Sequence, residues 1–192
     1  MKITGLPLNL KFNPSKPWSL LNDLEKTFSK LGKPKISPSA QLDTSIRVDG
    51  DVWIEEGVKI LPFSVIKGPV FFDKNCVIGP HAYIRPFSII GDGARIGHCS
   101  EIKASIIGRN SFASHFAYIG DSIIGSNVNL GAGVKLANLR FDKGNVFLTK
   151  TNGKKVDSGR KKFGAIICDN AQLGVNAVTM PGTIIIECGY FL

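Results

Sequence analysis

No apolar run in this sequence approaches the length of a membrane span, and its opening, Met1-Lys2-Ile3-Thr4-Gly5-Leu6-Pro7, lacks the apolar core of a signal peptide. Both absences point to a cytoplasmic protein without membrane association. Cysteine is sparse: Cys76, Cys99, Cys168 and Cys188 are widely spaced and form no C-x-x-C pair. Neither a zinc knuckle nor a dithiol redox motif is therefore indicated, and all four read as small packing residues. Acidic residues are also under-represented, 15 against 24 Lys and Arg, for a formal net charge of +9. That surplus suits an anionic partner, whether nucleic acid, an acidic surface or a small phosphorylated ligand. The most basic stretch, 139–163, carries only Phe141, Phe147 and Phe163 as aromatics and matches no nucleic-acid-binding module, so nucleic acid is not expected.

What the sequence does contain is a period of six. An aliphatic or aromatic residue returns at Ile36, Leu42, Val48, Ile54, Ile60, Ile66, Phe72, Ile78, Ile84, Ile90, Ile96 and Ile102 without a miss. Four positions after each stands a mostly small or β-branched residue, among them Ala40, Val52, Val58, Ser64, Cys76, Ala82, Ser88 and Ala94. Neither a helical period of 3.6 nor strand alternation explains this spacing, whereas a solenoid of short strands and tight turns does. The step shortens to five between Ile102 and Ile107 and again between Ile119 and Ile124. Residues 139–163 abandon the pattern as an excursion loop that includes Arg140, Lys143, Lys150, Lys154, Lys155, Arg160, Lys161 and Lys162. Rungs resume at Ile167, Leu173, Thr179 and Ile185, with Ala171, Ala177, Thr183 and Gly189 in the fifth places. The chain stops at Leu192 without an obvious polar cap, so the last coil is expected to be covered by a partner or left incomplete.

Residues 1–35 read as an N-terminal extension with a capping helix, and 36–192 as the solenoid. Ser15 is the expected N-cap, Pro17 sits in the first turn, and Trp18, Leu21, Leu24, Phe28 and Leu31 share one face that would cover the first coil. Upstream, Leu6, Leu8, Leu10 and Phe12 alternate as in a short strand.

Two features bear on chemistry. If one coil is 18 residues, Lys67, Arg85 and Lys103 stack in a column, each following an inward aliphatic residue; adjacent like charges repel unless an anion sits near them. A phosphate site would explain the column, as would a solvated basic stripe. His115 is a candidate general base, because a neutral imidazole accepts protons near pH 7, although a lone histidine is more often structural. Tyr118 and Asn129 have equally plain readings, a surface ring and a turn residue.

The segment from Ile78 to Asp142, with IGPHAYIRP, EIKAS, HFAYIGD, VNLGAG and ANLRFD, resembles the acetyltransferase domain of the bifunctional UDP-N-acetylglucosamine pyrophosphorylase and glucosamine-1-phosphate N-acetyltransferase family. A looser likeness covers most of 16–185. The resemblance implies an all-β fold, a left-handed parallel β-helix of hexapeptide repeats with three hexads to a coil, and a homotrimer. It implies transfer of an acetyl group from acetyl-CoA to an amino-sugar 1-phosphate in nucleotide-sugar synthesis, with no metal required. By that similarity His115 is the general base, Arg85 and Lys103 hold the sugar phosphate, and Tyr118 and Asn129 position the amino sugar. Asn138 orients the thioester and is a candidate donor to the developing oxyanion, and Ala132 lies along the pantetheine arm.

The family's bacterial N-Y-D-G motif is replaced here by Asn138-Leu139-Arg140-Phe141-Asp142, and SGRKKFG follows at 158–164, a variant closer to archaeal-type members. A functional lysine of the bacterial enzymes falls at Gly144, one place from Lys143. No Gly-rich nucleotide-binding segment precedes the repeats, so the chain reads as the family's C-terminal half. Two alternatives stay open: a non-catalytic trimeric scaffold or regulatory subunit that binds a sugar nucleotide beside a separate nucleotidyltransferase, and a metal-dependent carbonic anhydrase. The latter rests on His98 and His115 occupying equivalent places in successive coils, with His81 one place out of that register.

Overall fold

The computed structural model describes residues 1–149, 153–186 and 190–191. Lys150, Cys188, Gly189 and Leu192 lie outside the described residues. Among the described residues, strands of two to four residues build three parallel walls of eight, eight and seven strands, the all-β parallel β-helix expected from the repeat. The first wall runs from Lys35–Ile36 to Thr183–Ile185, the second from Gln41–Leu42 to Tyr190–Phe191, and the third from Arg47–Asp49 to Val178–Thr179.

The six-residue period becomes geometry through its inward rungs. Ile54, Ile66, Phe72, Ile78, Ile84, Ile90, Ile96 and Ile102 are all fully buried in one continuous core. Each such side chain contributes about 1.5–3 kcal/mol by leaving water. Along a wall Lys35 pairs with Trp53, eighteen positions on, but Ile89 pairs with Ile106 and Ile106 with Ile123, seventeen on. The two five-residue steps in the sequence are thus two shortened corners. Serine hydroxyls repair them: Ser122 N–H donates to Ser105 Oγ at 3.0 Å, and Ser122 Oγ accepts from Ala165 N–H at 3.0 Å. At Gly97 an added Cβ would run into the backbone of Ser114 on the next coil, so the close approach of coils there requires glycine.

The N-terminal extension corrects several sequence expectations. Two short helices, Ser19–Asn22 and Leu24–Ser29, replace the single expected one, and Trp18 rather than Ser15 precedes the first. Asn13 Oδ1 instead accepts from Ser15 N–H at 2.9 Å, a side-chain turn that competes with helix entry. The expected strand through Leu6 and Leu8 is a 3-10 turn, Pro7–Asn9, with Leu8 at φ +56°. Nor do the helices cover the first coil, where Ile36 remains 52% exposed. Leu20, Leu21, Leu24 and Phe28 pack on the outer side of the first wall, against Trp53, Phe71, Ile89 and Ile106. That wall carries apolar residues on both faces, so its outer face needs cover as much as its inner one.

The excursion supplies more of that cover. It folds into an antiparallel hairpin, Phe147–Thr149 with Lys155–Asp157, and Val146, Leu148 and Phe163 are fully buried in the same outer cluster. The extension is anchored at its start by Asp169, whose carboxylate accepts from Thr4 N–H at 2.9 Å, Thr4 Oγ1 at 2.6 Å and Ser126 N–H at 2.8 Å. Of the cysteines, Cys76 and Cys168 are buried as expected, but Cys99 is exposed at a corner with φ +52°. No helix among the described residues is long and apolar enough to cross a membrane.

Candidate active site on the third wall

Outward residues of the third wall alternate with its buried rungs, and the register of the strands stacks them. Tyr83, Glu101, Tyr118 and Lys135 form one column, beside which Lys103 pairs with Gly120. Ile84, Ile102 and Ile119 between them are fully buried, which holds the outward residues on a fixed surface.

The basic column is real in register, but its repulsion is answered from within. Arg85 Nη1 donates to Glu101 Oε1 at 2.8 Å, both side chains being about one third exposed. Lys103 Nζ donates to Asp121 Oδ2 at 2.8 Å, with side-chain exposures of 19% and 5%. Lys67 has the Tyr83 ring 5.8 Å from its ammonium, and the Arg85 guanidinium lies at the same distance from that ring. The carboxylates the sequence reading left out are therefore the partners of the cations it singled out. The Glu101 hydrogen bond holds the Arg85 guanidinium above its ordinary value, against the opposing effect of burial.

Asp121 is the centre of the cluster. Counting from Ile119, the shortened corner brings the left-handed residue to the second place rather than the third, and Asp121 takes that conformation at φ +49°. Its carboxylate also accepts from Asn138 Nδ2 at 2.6 Å and lies 3.6 Å from Arg160 Nη2. Arg160 comes from the returning limb of the excursion and donates through Nη1 to Asn22 Oδ1 at 2.7 Å. Burial pushes the Arg160 guanidinium down from its ordinary value, and Asp121 opposes that shift. The neck of the excursion closes beside the cluster: Phe163 N–H donates to the Asn138 carbonyl at 2.9 Å and Gly164 N–H to the Asp121 carbonyl at 2.8 Å.

Gly120 leaves a notch in this surface. A Cβ there would meet Asn138 Nδ2 at 2.6 Å and Tyr118 Oη at 2.7 Å, so both polar tips lean over the missing side chain, next to Lys103. Burial, then the Glu101 and Asp121 carboxylates, raise the Tyr118 phenol above its ordinary value, while the Asn138 bond and Arg85 act against it. The phenol therefore stays a neutral hydrogen-bonding group at neutral pH.

Of the residues singled out from sequence, Arg85, Lys103, Tyr118 and Asn138 come together here. His115, Asn129 and Ala132 do not join them within the chain. His115 ends the second-wall strand Phe112–His115, with its side chain exposed and with no hydrogen-bond or ring partner among the described residues. Asn129 opens the next strand of that wall with its backbone N–H donating to the Ala171 carbonyl at 3.1 Å, and the Ala132 carbonyl accepts from Asn176 N–H at 2.7 Å. His98 does pair with His115 in register, yet its ring packs edge-on against His81 at 6.0 Å and Phe116 at 5.1 Å. Among the described residues of the single chain no group of three or more His, Cys, Asp or Glu side chains is placed to hold a metal ion. Asp121, Glu101 and Arg160 are the residues that sequence reasoning missed. Glu101 sits in register with Tyr83 and Tyr118, and Asp121 sits at the five-residue step, but no spacing pointed to Arg160.

Repeating walls, inward aliphatic rungs and a polar notch on one outer face define a hexapeptide-repeat β-helix protein. The chain belongs to the GMPPB C-terminal domain family, whose model matches residues 66–188. It is 43% identical over 182 residues to the bifunctional protein GlmU of Methanococcus vannielii, an alignment that covers 94% of this chain and 43% of that protein. It is 37% identical over 168 residues to a bifunctional sugar-1-phosphate nucleotidylyltransferase/acetyltransferase of Sulfurisphaera tokodaii, covering 87% of this chain and 41% of that protein. The chain thus spans less than half the length of these relatives, and the archaeal-type resemblance read from its motifs holds. A mutant of perosamine N-acetyltransferase from Caulobacter crescentus, solved with CoA and GDP-perosamine, is similar at a TM-score of 0.40 and 15% identity, covering 84% of this chain and 59% of that one.

Proposed function

We propose that this protein transfers an acetyl group from acetyl-CoA to the amine of an amino-sugar 1-phosphate of the glucosamine-1-phosphate type, in nucleotide-sugar synthesis. The observation that carries the reading is the notch at Gly120, where Lys103, Tyr118 and Asn138 converge beside Arg85 on a rigid wall. Arg85 and Lys103 would bind the acceptor phosphate, and Tyr118 and Asn129 would orient the sugar. His115 would take a proton as the amine attacks the thioester carbonyl, with no covalent acyl-enzyme. Acetyl-CoA, when bound, supplies the acetyl group as an activated thioester. Asn138 spends one amide hydrogen on Asp121 and has a second for the carbonyl oxygen as it gains charge, and Ala132 offers a small surface to the pantetheine arm. The same reading calls for a homotrimer, in which a neighbouring subunit's second wall would bring His115 to the third-wall notch.

A second reading has its own observation. Arg85 and Lys103 are already paired with Glu101 and Asp121, which suits a non-catalytic subunit that binds a sugar nucleotide beside a separate nucleotidyltransferase. Thiol release from acetyl-CoA separates the two. With glucosamine-1-phosphate or galactosamine-1-phosphate as acceptor, acceptor-dependent release that disappears in His115→Ala supports the enzyme. A folded trimer that binds a nucleotide sugar without releasing thiol supports the scaffold.

A further inference from the structure

Asp121 has no assigned role in the reading above, yet it is the most buried charge in the cluster, at 5% side-chain exposure. One carboxylate holds three groups that come from three parts of the chain. Lys103 rises from the preceding coil of the same wall, at 2.8 Å. Asn138 stands where the third-wall strand Lys135–Leu136 gives way to the excursion, at 2.6 Å. Arg160 returns at the far end of that excursion, at 3.6 Å, and reaches the N-terminal extension through Asn22. Each of these side chains is flexible on its own: a lysine stem has four rotatable carbons and an ammonium with no preferred direction. A buried anion with its own backbone pinned at both ends, its N–H donating to the Lys103 carbonyl and its carbonyl accepting from Gly164, fixes where all three point.

We propose that Asp121 is a positioning residue of the acetyl-transfer site, aligning Lys103 and Asn138 and, through Arg160, making the docked excursion part of the site. This rests on the acetyltransferase reading. Asp121 touches neither reacting atom; its effect passes through the groups it holds. If its role were only to neutralise Lys103, its removal would leave catalysis intact and tighten the binding of an anionic acceptor. Loss of alignment acts the other way, on the rate of the bound complex, because a misplacement near 1 Å costs about a hundredfold in rate.

The test uses the full chain, acetyl-CoA and glucosamine-1-phosphate, with Asp121→Asn, Arg160→Gln, Arg160→Lys and the Asp121→Asn/Arg160→Gln pair, each checked by thermal denaturation. Asn keeps the size and an oxygen that accepts from Asn138. The expected result for Asp121→Asn is a kcat lower by about thirtyfold, with the acceptor KM within about threefold of the original. Arg160→Gln lowers kcat by about fivefold, Arg160→Lys recovers most of that, and the double variant is no worse than Asp121→Asn alone. Unchanged kcat in folded Asp121→Asn overturns the proposal, as does a lower acceptor KM at unchanged kcat, or fully multiplicative effects in the pair. Should Asp121→Asn fail to fold, the Arg160 variants decide: a Gln variant at full rate overturns the proposal and rescue by Lys supports it. Absence of turnover in the unmodified chain removes the acetyltransferase reading and this role with it, whereas turnover that ignores all four variants removes this role alone.

Discussion

Gly120→Ala separates the site from the fold. Gly120 does not have a left-handed backbone, so alanine brings no conformational strain, and the three atoms nearest its Cβ belong to side chains, Asn138 Nδ2 at 2.6 Å, Tyr118 Oη at 2.7 Å and Tyr118 Cζ at 3.0 Å. Ordinary contact begins at 3.4 Å, so the Asn138 amide must retreat by 0.8 Å, the difference between 3.4 and 2.6. A retreat of that size breaks its hydrogen bond to the Asp121 carboxylate. A hydrogen bond to a charged group contributes about 1.5 kcal/mol, which lowers the melting temperature of a chain this size by about 3–6 °C. The same displacement at the reacting groups costs about a hundredfold in acetyl transfer. Calorimetric melting and the thiol-release assay on one preparation measure both. Gly97→Ala is the contrast: its Cβ strikes the Ser114 backbone, which cannot turn aside, so loss of folding is expected. Full kcat in a folded Gly120→Ala protein, or a stability loss as large as that of Gly97→Ala, would refute the notch as the seat of the chemistry.

Three further outcomes concern stability. Ile84, fully buried beneath Arg85, should lose about 2–5 kcal/mol on truncation to Ala, read from chemical denaturation. Thr179 occupies an inward rung at 1% exposure, and its hydroxyl has no partner among the described residues; Thr179→Val should stabilise by about 1 kcal/mol, and a destabilised variant would mean the hydroxyl is satisfied. Burial raises the Asp73 carboxyl above its ordinary value, opposed by the Lys74 amide and reinforced by Asp92 and Glu55. The folded state then holds this proton more tightly than the unfolded chain, so stability falls as pH rises from the unfolded carboxyl range through the raised value and stays lower at neutral pH. Asp73→Asn should melt higher at pH 7 and match the original at pH 3, and a constant difference across that range would rule out the linkage.

The period of six carried the fold. It named the buried inward rungs from Ile54 to Ile102 because a solenoid repeats one local environment, and a repeated environment selects the same residue type each time. The five-residue steps and the column of Lys67, Arg85 and Lys103 were equally visible, since both are properties of spacing. Tertiary structure decided whatever depends on one segment meeting another far along the chain. The pairs Trp53-Ile54, Phe71-Phe72 and Ile89-Ile90 carried a signal that the first wall is apolar on both faces, but which segments cover it emerged only from packing, where the N-terminal helices and the excursion hairpin share one surface. Nor could spacing show that the column's cations have their own carboxylates, because Asp121 meets Lys103 from a left-handed corner residue that the five-residue step shifts by one place. Arg160 reaches that carboxylate by the fold of a loop without periodicity, where sequence distance says nothing of distance in space. Repetition makes structure readable from a chain; the contacts that break the repetition are set by the compact fold alone.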